Sequence, residues 1–189
     1  MELNTLLLPM GIIPSLFLLY VIIGGYEGRF KEKLIFITFV VGLILGGVIY
    51  LMEGLIVYPL ISENPYLNLI IFFAIIFSFL EQLAKFAILN YPKLFDEGLP
   101  IYGASLGLGF SSTFAPLLFG KSIEIIWENA MLILIPFAVI LMGSSTGIFI
   151  GIGVKRNLKW KYFGISTAIA ALLWVALLIA IIYLSLIHI

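Results

Sequence analysis

Apolar runs long enough to cross a bilayer recur along this chain with little between them, and that spacing decides what it can fold into. A spanning helix needs roughly 20 mostly apolar residues. Six such runs would use about 120 of the 189 residues, leaving only short connections. With 63% hydrophobic and 11% charged residues, a soluble domain of this size could not cover its surface with polar groups. Lipid covers the excess instead. The expected fold is an all-α integral membrane protein, a bundle of about six transmembrane helices forming a single polytopic domain over residues 1–189. Whatever this chain does is then done by the bundle, in the cell membrane.

Run length and flanking charge place the spans. The first runs from about Thr5 to Gly24 and holds Pro9 and Pro14, which predict a kink. It has no basic start and no small-residue cleavage pattern, so it reads as a retained helix. The second covers Leu34 to Met52. A shorter piece, Gly54 to Ile61, follows Glu53 and either extends that helix or lies at the interface. The third begins near Tyr66 and reaches Tyr91, the fourth covers Leu99 to Phe119, the fifth Ala130 to Val154 and the sixth Tyr162 to Ile187. No internal repeat or low-complexity tract interrupts them.

Lys and Arg set the expected orientation. The first connection carries Arg29, Lys31 and Lys33, the third Lys85 and Lys93, and the fifth Lys155, Arg156, Lys159 and Lys161. Alternate connections thus hold nine of the ten basic residues, the fourth having only Lys121. The positive-inside rule puts the basic connections in the cytoplasm and both termini outside, N-out and C-out. One missed or invented span would scramble the alternation.

The formal net charge is zero, which argues against nucleic acid as a partner, since that requires a basic face. The absence of Cys removes disulfides, zinc–thiolate sites, iron–sulfur clusters and Cys nucleophiles together. The expected partners are the lipid bilayer and either another membrane protein or a transmembrane peptide.

Two spans are rich in small residues. Gly103 and Gly107 stand four apart, as do Ser105, Gly109 and Thr113; Gly143, Gly147 and Gly151 repeat that spacing in the next span. Small residues at this interval let helix backbones approach closely. They serve either helix packing or a cradle around a substrate backbone. Asp96 and Glu97 stand just before Leu99-Pro100, where acidic residues cap a helix and favour its dipole.

Glu81 is the most informative position. It follows eleven residues from Ile70 to Leu80 that are apolar except for Ser78. If its helix reaches Tyr91, Glu81 lies roughly 15 Å from that end, near mid-membrane. A carboxylate there costs at least ~2.5 kcal/mol and should face the bundle interior with a partner. Lys85, one turn later in the favourable Glu-then-Lys order, supplies one. The competing expectation is a helix ending near Leu83, with Glu81 and Lys85 snorkelling to the headgroups.

Glu81-Gln82-Leu83-Ala84-Lys85, the acidic connection with Asp96 and Glu97, and Ile101-Tyr102-Gly103-Ala104-Ser105-Leu106-Gly107-Leu108-Gly109-Phe110 together resemble the PrsW family of intramembrane proteases. That family is distantly related to CAAX-type membrane proteases and to the scaffold subunit of gamma-secretase. The resemblance covers Leu80 to Thr113 and, more weakly, Leu141 to Gly153. It implies that Glu81 and Lys85 match the first Glu and the Lys of a Glu-Glu-x-x-Lys motif, and makes them the candidate catalytic residues. The chain departs from the pattern elsewhere. Gln82 replaces the second Glu, Phe114 and Ala115 stand where the family has Glu-Asn, and Met142 lies nearest the family's later His. The single His, His188, belongs to the opposite end of the bundle.

Peptide hydrolysis needs an activated water and a stabilised oxyanion. A zinc route needs about three His, Glu or Asp ligands. The matched segment keeps one intramembrane carboxylate, with Lys85 beside it on the same helix face. Glu124, Glu128 and Asn129 read as a solvated connection at the other end. No metal site and no cofactor is expected. The leading expectation is a PrsW-like protein without most of the catalytic set, acting as a membrane scaffold or substrate-binding protein. The alternatives are an active endopeptidase using Glu81, and a small transporter or channel subunit with Glu81, Gln82 and Lys85 lining a polar path.

Overall fold

The computed structural model describes residues 7–63, 66–119 and 134–187, and the elements among them are helical, with no strand. The helices are α1 (Leu7–Gly24), α2 (Glu32–Glu63), α3 (Leu67–Leu89), α4 (Leu99–Phe119), α5 (Leu134–Lys155) and α6 (Lys159–Ile187), with one 3-10 turn at Pro92–Leu94. Five of them, α2 to α6, are long and apolar enough to cross a membrane. α1, with 18 residues, rises about 27 Å and sits at the short end of that range. The chain is therefore a multi-pass α-helical membrane protein. Lys121, Glu124, Glu128, Asn129 and His188 lie outside the described residues, as do the first positions of the expected first and fifth spans.

The helix boundaries follow local chemistry. α2 does not stop at Met52. It continues through the Gly54–Ile61 piece as one helix of 32 residues, about 48 Å long, so it outreaches the ~30 Å hydrocarbon core. A single Glu53-Gly54 step costs about 1 kcal/mol of helix propensity and is too weak a stop within an apolar run. α3 ends at Leu89, two residues before the expected Tyr91, because Pro92 drives Tyr91 out of the α region (φ −69°, ψ 126°). α5 closes on Asn157, whose φ of 56° is left-handed. The Leu158 N–H bonds back to the Gly153 carbonyl at 2.9 Å and the Asn157 N–H to Val154 at 3.2 Å. That tight closure lets α6 start at Lys159, three residues before the expected Tyr162.

α4 is the central helix. Of its apolar window 83% is buried, against 61% for α5 and a third or less for α2, α3 and α6. α1, α2 and α5 pack on it, while α6 bridges α5 and α3. Glycine makes these approaches possible. A Cβ on Gly103 would overlap the Gly147 carbonyl, one on Gly107 the Gly143 carbonyl, and one on Gly151 would meet the Leu99 carbonyl. On the other side of α4, Gly109 lies against the Phe39 carbonyl of α2, and Gly42 and Gly46 of α2 lie against Leu106 and Phe110. Ser105 fastens the same contact by donating to the Ile35 carbonyl at 2.7 Å.

The first, third and fifth connections meet at one end. The Tyr26 hydroxyl and Lys155 Nζ both donate to the Glu97 carbonyl, and the Arg29 N–H reaches Glu97 Oε2 at 3.3 Å. Asp96 Oδ1 accepts the Gly98 N–H at 2.8 Å, an Asx turn that leads into α4 and does not cap its first turn. Its Oδ2 takes the Tyr102 hydroxyl at 3.0 Å and lies 3.5 Å from Lys31 Nζ. The Lys31 N–H closes the circuit onto the Tyr102 hydroxyl at 2.8 Å. Eight of the ten basic residues stand at this end or in the adjoining first turns. Lys85 does not: it belongs to the interior of α3 and leaves Lys93 as the third connection's only cation.

Candidate functional site

α3 runs eight residues past Glu81, so Glu81 lies about 12 Å from the helix end rather than 15 Å. One stripe of this helix turns inward, with Ala74, Ser78, Glu81, Gln82, Lys85 and Leu89 all buried. The side chains of Glu81 and Lys85 are 2% and 1% exposed, so neither snorkels. The helix did not end at Leu83 because nothing between Glu81 and Leu89 supplies a Gly, a Pro or a cap.

Lys85 Nζ donates to Glu81 Oε1 at 2.6 Å, the (i, i+4) pair legible in the sequence. Three further groups surround the ammonium. Thr146 Oγ1 accepts from it at 3.1 Å and the Gly143 carbonyl at 3.3 Å, both from α5. The ring of Phe110, from α4, has its centroid 5.3 Å away. Thr146 can accept because its own proton goes to the Met142 carbonyl at 2.9 Å. Glu81 Oε2 takes the indole N–H of Trp174, from α6, at 3.4 Å. One ion pair thus ties four helices together at their common contact.

Of the positions where the chain departs from the resemblance, Phe114 borders this cluster and the others are buried elsewhere on the same helices. Phe114 is fully buried, stacked on Phe110 with centroids 5.3 Å apart and edge-on to Trp174 at 5.5 Å. An aromatic ring therefore stands between Phe110, on the Lys85 side, and Trp174, on the Glu81 side. Ala115 beside it is buried too. Met142 is buried one residue before Gly143. Gln82 is fully buried, and neither atom of its amide has a partner among the described residues.

The six candidate glycines fall into two groups. Gly103, Gly107, Gly143, Gly147 and Gly151 form the α4–α5 seam, and Gly109 serves the α2–α4 seam. The close approaches are filled by this chain's own backbone and by the Ser111 hydroxyl against Gly143. Among the described residues, no group of three His, Asp or Glu converges on a common point. Thr146 stands among the Ser and Thr between Gly143 and Gly147 that can bond across helices, and it does so with Lys85, whereas Trp174 went unread in the sequence. Its only signal was a polar atom in an apolar run, which a single sequence cannot assign to a partner. Gly42 and Gly46 went unread too, although their four-residue spacing was visible. Comparison with protein-family models, with curated proteins and with solved structures finds no match.

Proposed function

We propose that this chain is a PrsW-like protein of the cell membrane, catalytically degenerate, that binds a transmembrane segment or another membrane protein without cleaving it. The observation that carries the reading is the state of Glu81. Both of its oxygens are engaged, one by Lys85 and one by Trp174, and the neighbouring Phe114 is a ring where the resemblance expects a second carboxylate. A general base needs a free lone pair within reach of a water. Each oxygen of Glu81 already accepts a structural hydrogen bond, and the side chain is only 2% exposed, which keeps water from it. The unmatched donor and acceptor of Gln82, next along the same helix, support a hydrogen-bonding role over a proton-transfer one. In the orientation that goes with this reading, the clasp of Tyr26, Asp96 and Glu97 is cytoplasmic and both termini are outside.

The test uses purified protein in vesicles with a panel of fluorescent transmembrane peptides. Saturable energy transfer to at least one peptide, with no cleavage product, is expected. Cleavage that disappears in Glu81→Gln would overturn the reading and put an active endopeptidase in its place. A panel that neither binds nor is cut would refute the binding role.

A further inference from the structure

At the clasped end of the bundle, a groove of about 470 Å³ opens between the α3–α4 connection and the α5–α6 turn. Its character is amphipathic. Phe95, Leu99 and Val154 give it an apolar wall, and Lys155, Asn157 and Lys159 give it a polar rim. Asp96 and Glu97 also line it, so the formal charges of the lining cancel. Both carboxylates already have partners in the protein. Asp96 is held by the Gly98 N–H, Tyr102 and Lys31, and Glu97 Oε2 is held by the Arg29 N–H. The lysines keep most of their capacity: Lys155 makes one bond to the Glu97 carbonyl, and Lys159 stands exposed at the start of α6.

The position of the groove identifies its occupant. Phe95 in its wall is more than half exposed, as are Tyr91 in the α3–α4 connection and Trp160 in the first turn of α6. Aromatic side chains in that setting belong to the membrane–water interface. From Lys155 to Lys161 the chain holds four cations and no acid. We infer that this groove is a binding site for the phosphate headgroup of an anionic phospholipid. Lys155 and Lys159 would meet the phosphate, Asn157 its glycerol side, and Phe95, Leu99 and Val154 the first carbons of the chains. A cluster of four cations at the interfacial end of transmembrane helices is a recognised setting for such headgroups. The inference goes beyond the proposed function and does not depend on it.

The experiment is native mass spectrometry and thermal unfolding of the detergent-purified chain, titrated with phosphatidylglycerol, phosphatidylcholine or inorganic phosphate. Phosphatidylglycerol should bind and raise the Tm, while phosphatidylcholine and inorganic phosphate should do neither. The double variant Lys155→Gln/Lys159→Gln should weaken phosphatidylglycerol binding by roughly 30-fold, taking each lysine near the surface at its usual weight. Lys159→Gln alone leaves the Lys155–Glu97 bond in place and should give about the square root of that loss. The charge-matched control Lys33→Gln/Lys93→Gln, at the same end but outside the groove, should change it little. An equal loss in the control would overturn the site in favour of a diffuse basic face. Equal stabilisation by inorganic phosphate would overturn the lipid in favour of a free oxyanion.

Discussion

Exchanging Glu81 and Lys85 separates a simple ion pair from the four-helix junction seen here. If the two groups served only each other, Glu81→Lys/Lys85→Glu would keep the pair and the fold. The surroundings are not symmetric. Position 85 faces the Gly143 carbonyl and the Phe110 ring, both of which favour a cation, and position 81 faces the Trp174 N–H, which favours an anion. The exchanged chain loses two charge-assisted hydrogen bonds, each about 1.5 kcal/mol at the low end because both are long. It also loses a desolvated cation–π contact of about 1 kcal/mol. We predict destabilisation of about 4 kcal/mol, with carboxylate–carbonyl repulsion at Gly143 adding to it. The single variant Lys85→Met should cost a similar ~3–5 kcal/mol, by leaving Glu81 buried against Trp174 alone. Glu81→Gln/Lys85→Met, which removes both charges, should cost less than either. Reversible unfolding in mixed micelles, followed by tryptophan fluorescence, measures all three. An exchange variant within about 1 kcal/mol of the wild type would refute the asymmetric junction and leave a pair that any geometry could satisfy.

The seams and the polar interior give further expectations. Gly107→Leu should destabilise by at least ~1–3 kcal/mol, since its side chain meets the Gly143 backbone and neither helix can move alone; unchanged detergent stability would place that face against lipid. Gln82→Leu should leave stability unchanged or raise it by up to ~3 kcal/mol, because a buried amide without partners is replaced by an apolar group of similar size; a large loss would mean the amide is satisfied. Burial, followed by Glu97 and Asp96, raises the Tyr26 phenol above its ordinary value of 10.0. Its contribution is therefore complete below pH 10 and falls as the pH rises through the folded-state value, and Tyr26→Phe should flatten that alkaline limb of a stability–pH curve. For orientation, Ser62→Cys should react with an impermeant thiol reagent from outside and Asn157→Cys should not, against a chain that has no other Cys; the reverse pattern in intact cells would invert the topology.

The helices were legible because in a bilayer the apolar run is itself the structural unit. Leu99–Phe119 is a clear case, bounded by Leu99-Pro100 and found over those residues. The interruptions were less legible. Glu53-Gly54 left two readings open, an extension of the second helix or an interfacial piece, and the extension holds, since a weak local preference loses to a long apolar helix. Lys85 counted as a loop cation when a single charge cannot say whether it faces water or a carboxylate. Its removal from the third connection leaves the alternation of Lys and Arg standing on Lys93 there, still against none in the second connection.

The junction was half legible. An (i, i+4) Glu–Lys pair on a helix with a buried stripe can be read from spacing alone, because both members lie on one element. Trp174 is 93 residues from Glu81 and Thr146 is 61 from Lys85, and no spacing rule connects helices that meet only in the bundle. Phe114 shows how the missing half alters the chemistry. From the sequence it is an absence, a carboxylate that the resemblance would supply and the chain lacks. In the structure it is a presence, a ring packed between Phe110 and Trp174 that fixes the cation–π face on one side and the indole donor on the other. Placing Glu at that position would therefore remove three aromatic contacts, with Tyr50, Phe110 and Trp174, and would add a second carboxylate near a lysine already shared among three acceptors. Phe114, Trp174 and Lys85 are joined through Phe110 and Glu81, so a change at position 114 calls for adjustment at the other two.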